Sequence, residues 1–206
     1  MTTNQSPQKK IDTRMKFIQE LGYQSESVLR AGNNNPFLLD GHDKAWIVFS
    51  GKVDVFAVQV RDSKAISGRR HLFRAEPGQL LLGMDLASYR RDIGLLAVGV
   101  AGTQLIPLER SRLEALAQSS AYIDDIAILV NGWVSGLSAG LAQNLRPPRQ
   151  IEMLTAGSET TLVSGAIAHP RKGVLWVSSP RGIARFMGLE ELPLLGEDDF
   201  RPIAEY

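Results

Sequence analysis

The stretch that decides the fold is Ala45-Trp46-Ile47-Val48-Phe49-Ser50-Gly51-Lys52-Val53-Asp54-Val55-Phe56-Ala57-Val58. Two β-branched and aromatic runs are joined by a Ser-Gly-Lys turn, the pattern of two strands and a tight connection. In the second run Val53, Val55 and Ala57 fall on one face, and Asp54, Phe56 and Val58 on the other. Both faces are largely apolar, so this strand is expected to be covered on both sides.

The same pattern extends outward. Short β-rich runs follow at His71–Arg74, Gln79–Leu82, Leu95–Val100 and Thr103–Leu108. Ser67-Gly68, Pro77-Gly78, Gly83 and Ala101-Gly102 punctuate them. Short strands with turn signals every 8–12 residues or so predict an antiparallel sandwich or barrel. Upstream, residues 1–10 are polar and expected to be disordered. Residues 12–31 place Met15, Ile18, Leu21, Val28 and Leu29 at helix-like intervals, predicting one or two short helices broken near Gly22.

After Leu108 the period changes. Ile123, Ile126, Ala127, Val130, Val134, Leu137 and Leu141 recur at three- and four-residue spacing, which predicts an amphipathic helix. Helices are expected at roughly 109–118 and 121–145, with Asp124 and Asp125 near the second start, where the helix dipole favours them. Arg146-Pro147-Pro148-Arg149 ends the segment. Strand character returns at Thr160–Val163, Gly173–Ser178 and Ile183–Met187. Leu175-Trp176-Val177-Ser178, followed by Ile183-Ala184-Arg185-Phe186, mimics the Trp46 region and is read as a partial internal repeat. The chain would then end inside a domain, like a fragment of a longer protein.

Composition sets outer limits. The 206 residues are 44% hydrophobic and 22% charged, with 23 Lys+Arg against 22 Asp+Glu. Such a chain builds a core, and its balanced charge gives no electrostatic case for nucleic acid as a partner. Without cysteine there is no disulfide, thiol chemistry or Cys-ligated metal. The polar start has no signal-peptide core, and the apolar stretches are taken to fall short of the 18 or so residues that span a bilayer. A cytoplasmic location is expected.

His42, His71 and His169 stand apart in sequence, without a metal-binding pair. His42 is expected in a solvated turn and His71 at a surface strand start. No nucleophile elbow or phosphate-binding Walker motif occurs, so no enzyme is expected. Ser135-Gly136 and Ser138-Ala139-Gly140 suit close helix packing, and Trp133 suits a core or helix–sheet contact. Arg69-Arg70, Arg90-Arg91 and Arg171-Lys172 each suit a phosphate or acidic peptide, or simply a solvated loop.

From Ala45 to Leu116 the order of elements resembles the cyclic-nucleotide-binding domain superfamily, a β-jelly-roll with flanking helices. Ser50-Gly51-Lys52-Val53-Asp54-Val55-Phe56, Pro77-Gly78-Gln79 and Gly83 carry the likeness. The resemblance implies a phosphate cassette after Gly83, with a Glu for the ribose hydroxyl and an Arg for the cyclic phosphate. Met84 holds the Glu position and Ile93 lies near the Arg position, with Arg90 and Arg91 a few residues early. Methionine is no match for a carboxylate acceptor and isoleucine cannot pair with phosphate. A degenerate pocket is expected, needing no cofactor.

A narrower likeness rests on Trp46 to Val58, Gly68-Arg69-Arg70-His71-Leu72-Phe73-Arg74, Leu95-Leu96-Ala97-Val98-Gly99 and Gly173-Val174-Leu175-Trp176-Val177. These phrases are similar to the N-terminal cytoplasmic region of bacteriocin-export ABC transporters of the nitrile-hydratase-leader-microcin type. That resemblance implies a regulatory or docking region, on the cytoplasmic face of the membrane, of a permease/ATPase subunit. Its partners would be the membrane and ATPase parts, leader peptide, a peptidase-bearing subunit, or a second copy. The whole reading is mainly β with flanking helices: an N-terminal tail and short helices (1–34), an antiparallel cyclic-nucleotide-binding-like jelly roll (35–118), a helix and linker (119–150), and a second, partial β unit (151–206). The alternatives are a cyclic-nucleotide sensor with a rebuilt cassette and, less favoured for want of metal ligands, a cupin-like enzyme.

Overall fold

In the computed structural model, the described residues are 17, 21, 28–32, 35–66, 68–84, 92–143, 151–185 and 193–204. The chain divides into two compact units, Met1–Gly136 and Leu137–Tyr206.

Among the described residues the first unit holds nine strands: β1 (Leu29–Ala31), β2 (Phe37–Leu38), β3 (Lys44–Ser50), β4 (Val53–Arg61), β5 (Lys64–Ala65), β6 (Arg70–Ala75), β7 (Leu80–Leu82), β8 (Ile93–Gly99) and β9 (Thr103–Glu109). One sheet has the order β1-β9-β3-β7. The other runs β2-β8-β4, with β5 and β6 both pairing β4. Apart from the run β4, β5 and β6, which stays in one sheet, sequential strands alternate between sheets, and every described pairing in this unit is antiparallel, which is the double Greek key of a jelly roll. The expected roll is therefore present; its six predicted strands lie within two residues of their predicted bounds, and β1, β2 and β5 lie outside that prediction.

One face of the first sheet, with Trp46, Val48, Leu81 and Leu105, meets the second sheet. The ring of Phe37 lies 5.2 Å from that of Trp46, and a Cβ on Gly99 would strike the Ala31 carbonyl oxygen. Val53, Val55 and Ala97 are fully buried between the sheets. The opposite face, with Ala45, Ile47, Leu80, Ile106 and Leu108, packs on helical residues Leu113, Ile126 and Leu129 and on Phe17 and Leu21. The Leu21 N–H bonds the Phe17 carbonyl at 3.0 Å, the i to i+4 spacing of a helix; the rest of the expected N-terminal helix up to residue 27 lies outside the described residues. The helical expectation fails at Leu29, which pairs with Leu105 as a strand, because the open edge of β9 offers backbone partners that local propensity does not foresee. The second face of β4 is only partly covered, short of the expectation: Val58 is buried and Phe56 half-buried, but His71 and Arg74 beside Asp54 are about half exposed.

Helices α1 (Arg110–Ala117) and α2 (Ile123–Ala142) follow, close to expectation and with Asp124 and Asp125 in the first turn of α2. At 20 residues, α2 is long and apolar enough to cross a membrane by length and composition alone. This corrects the expectation that no stretch is; alternation of Ala, Gly and Ser with Leu and Val hid its length. Within the first unit its Ile126, Leu129 and Trp133 are buried.

The second unit departs from the sequence reading. Β10 (Glu152–Leu154) pairs in parallel with β11 (Ala168–Pro170), and β12 (Val174–Arg185) pairs antiparallel with β13 (Pro193–Ala204). Thr160–Val163 is not a strand; among the described residues no strand pairs with it. Ser178 to Gly182 does not turn the chain as Ser50-Gly51 does. Between Ser179↔Gly196 and Ala184↔Leu194 the excess residues bulge out of one continuous strand, so the proposed repeat is not a structural one. The expectations for residues 1–10, for Arg90-Arg91, for Arg146 to Arg149 and for Phe186-Met187 lie outside the described residues.

Candidate ligand site of the roll

The positions singled out for a ligand begin at the end of β7. The Gly83 N–H bonds the Lys44 carbonyl at 2.9 Å, and the Met84 N–H bonds the Leu39 carbonyl at 2.9 Å. A Cβ on Gly83 would overlap the Gly41 carbonyl oxygen. Glycine is thus required here by the close approach of the segment before β3, whatever a ligand needs. Met84 is half-buried, and its thioether is only a weak acceptor. Ile93 opens β8 opposite Gln59. Arg69 and Arg70 are exposed where the chain enters β6. The structure thus joins Gly83 and Met84 to the residues before β3, while Ile93, Arg69 and Arg70 flank β4.

Between the second sheet and α2 the space is aromatic. Phe73 pairs with Val55 across β6 and β4, and its ring meets Trp133 edge-on at 5.6 Å and 76°. A Cβ on Gly136 would lie 2.7–2.9 Å from that ring, closer than packed carbons allow. Trp133 makes the expected helix–sheet contact, and Gly136 the expected close packing.

The other face of the second sheet carries a charge cluster that sequence reading missed. Asp54 accepts two bonds from Arg74, Nε and Nη2 each at 2.8 Å, and lies 3.2 Å from His71 Nε2. The paired guanidinium holds the Asp54 carboxyl below the usual range, against partial burial that pulls the other way. The same contact raises the Arg74 guanidinium further. The ring of Phe56 sits edge-on to His71 at 5.4 Å. Only strand register brings these residues together; the nearest signal was an aspartate inside an apolar strand. With its fork spent on Asp54, Arg74 is engaged as a structural partner. His42 and His71 are exposed, as expected, whereas His169 is buried beside the Pro170 carbonyl.

A shallow hollow of about 250 Å³ is lined by Lys44, Ala45, Trp46, Pro107, Leu108 and Glu109. It holds one cation and one carboxylate on a largely apolar floor, with no nucleophile beside a base. Among the described residues no three His, Asp or Glu side chains converge as a metal site would require.

No protein-family model matches the sequence, and no curated protein does. Solved structures resemble it. The catabolite activator protein of Thermus thermophilus is 23% identical with a TM-score of 0.37, over 69% of this chain and 56% of that one. A CooA mutant from Carboxydothermus hydrogenoformans is 10% identical with a TM-score of 0.46, over 72% and 91%. The c-di-GMP responsive global regulator CLP of Xanthomonas campestris is 16% identical with a TM-score of 0.41, over 65% and 59%. The match spans little more than half of the first and third. These are likenesses of fold, and the jelly roll stands on its own strand order.

Proposed function

We propose that this chain is a non-catalytic regulatory or docking region built on a jelly roll whose nucleotide pocket is degenerate. The observation that carries the reading is Met84. It follows Gly83 where the resembling superfamily places a ribose-binding Glu, and it offers no carboxylate. Ile93 near the phosphate position supports the same conclusion. The likeness to bacteriocin-export transporters supplies the context: a region at the cytoplasmic face of the membrane that binds leader peptide or a transporter subunit and biases the transporter's state. Such a ligand acts only by preferring one conformation. The test is calorimetry of the full chain with cAMP, cGMP and cyclic dinucleotides. No heat is expected. Micromolar binding abolished by Arg90→Ala/Arg91→Ala would instead establish a nucleotide sensor.

A further inference from the structure

At the far end of β4 the second sheet carries an exposed amphiphilic tip. Arg61 pairs with Lys64 and Val60 with Ala65, and the Ile66 N–H continues the ladder to the Gln59 carbonyl at 2.9 Å. On the other side of β4, Gln59 pairs with Ile93. Further back Ala57 pairs with Arg70. Residues opposite one another, and every second residue along a strand, share a face. Arg61, Lys64, Ile66, Arg70 and Ile93 therefore lie on one face of the tip. All five are exposed, Ile66 at 51% and Ile93 at 36%. Four residues of strand, about 13 Å, separate Arg61 from the position opposite Arg70. Arg69 stands beside them in the loop. Four cations thus surround two isoleucines, against the carboxylates of Asp62 in the turn and Asp92 before β8. Asp62 and Ser63 both hold positive φ, 50° and 57°, as a two-residue type I′ hairpin requires.

We propose that this tip docks on anionic phospholipid headgroups, with Arg61, Lys64, Arg69 and Arg70 meeting phosphates and Ile66 and Ile93 entering the interface. Cations ringing exposed aliphatic side chains match a surface that is negative outside and apolar beneath. Among the described residues of the tip there is no aromatic side chain on which nucleic-acid bases could stack. The proposal stands on the geometry of the tip and holds whether or not the chain serves a transporter.

The test is co-sedimentation of the full chain with vesicles of phosphatidylcholine alone or mixed with phosphatidylglycerol, at low and high salt. Binding is expected only with the anionic lipid, and is expected to weaken at high salt. Each cation is worth about fivefold, so Arg61→Gln/Lys64→Gln/Arg69→Gln/Arg70→Gln together should weaken binding by nearly three orders of magnitude, about 600-fold. Ile66→Ser should weaken it at every salt concentration. Asp62→Asn, a residue that tolerates positive φ, should strengthen it about fivefold, so the proposal stays testable should the quadruple variant misfold. Equal binding to both vesicles, anionic binding unchanged by the charge variants, no binding at all, or preference for an acidic peptide or duplex DNA over the anionic vesicles would each overturn it.

Discussion

The hydroxyl of Thr103 donates to the Lys52 carbonyl at 2.8 Å and accepts the Lys52 N–H at 3.1 Å. Thr103 is 1% exposed, so its hydroxyl is shielded from water. It ties the turn from β3 to β4 onto the turn from β8 to β9, and the Val100 N–H adds a third bond to the same Lys52 carbonyl at 2.9 Å. Gly51, at φ 77°, passes so close that a Cβ would come within 2.7 Å of the Thr103 Cα. Thr103→Val keeps the shape and strips the Lys52 N–H of its partner. Urea denaturation should show a loss of about 1–3 kcal/mol.

Gly83 offers a test of whether it serves packing or a ligand. Gly83→Ala should destabilise the chain by about 1–3 kcal/mol, because the methyl has no room beside the Gly41 carbonyl. Thermal unfolding without any ligand reads this directly. An unchanged midpoint would show that the segment before β3 moves aside easily.

The Phe73–Trp133 contact should dominate the seating of α2. Trp133→Ala removes a side chain only 4% exposed and should cost about 3–5 kcal/mol. Gly136→Val drives two methyls toward the Phe73 ring and should release the contact, seen as a change in near-ultraviolet circular dichroism with helix content retained.

Acid should expose the Asp54 cluster. The folded carboxyl is depressed by Arg74, so its contribution is complete above the ordinary carboxylate range, about 4, and is lost as pH falls through the folded value. Asp54→Asn should lower stability near neutrality, by about fivefold or less in the unfolding equilibrium because Arg74 is half exposed. The difference should shrink to nothing in strong acid. Parallel pH curves for variant and parent would show that the pair contributes nothing.

Met84→Glu distinguishes the two readings of the pocket. With a truly degenerate site, restoring the carboxylate alone should yield no calorimetric heat with cAMP, since Ile93 still lacks a phosphate partner. Measurable heat would mean that Arg90 or Arg91 already supplies one.

How much of this was legible beforehand follows from the range of each interaction. The six runs from Ala45 to Leu108 and the stripe from Ile123 to Leu141 announced themselves because period-2 and period-3.6 patterns are local consequences of burying one face. Gly83 and Met84 were picked out as ligand positions by their place in the chain, yet the reason for glycine lay in the Gly41 carbonyl, more than forty residues away. The joining of Asp54 to Arg74 and His71, and of Ile66 to Ile93 across Gln59, depends on strand register, which a shift of one residue would abolish. Leu29 took a strand where its spacing predicted a helix because β9 presented an unpaired edge. Ser178 to Gly182, so like Ser50-Gly51 in composition, stayed within a strand because β13 supplied a partner on both sides of the bulge. The sequence by itself determined which segments bury their side chains and which residue types stand ready for chemistry. The tertiary structure alone decided which of them meet, since pairing across strands and sheets is settled by backbone hydrogen bonds and close packing between residues distant in the chain.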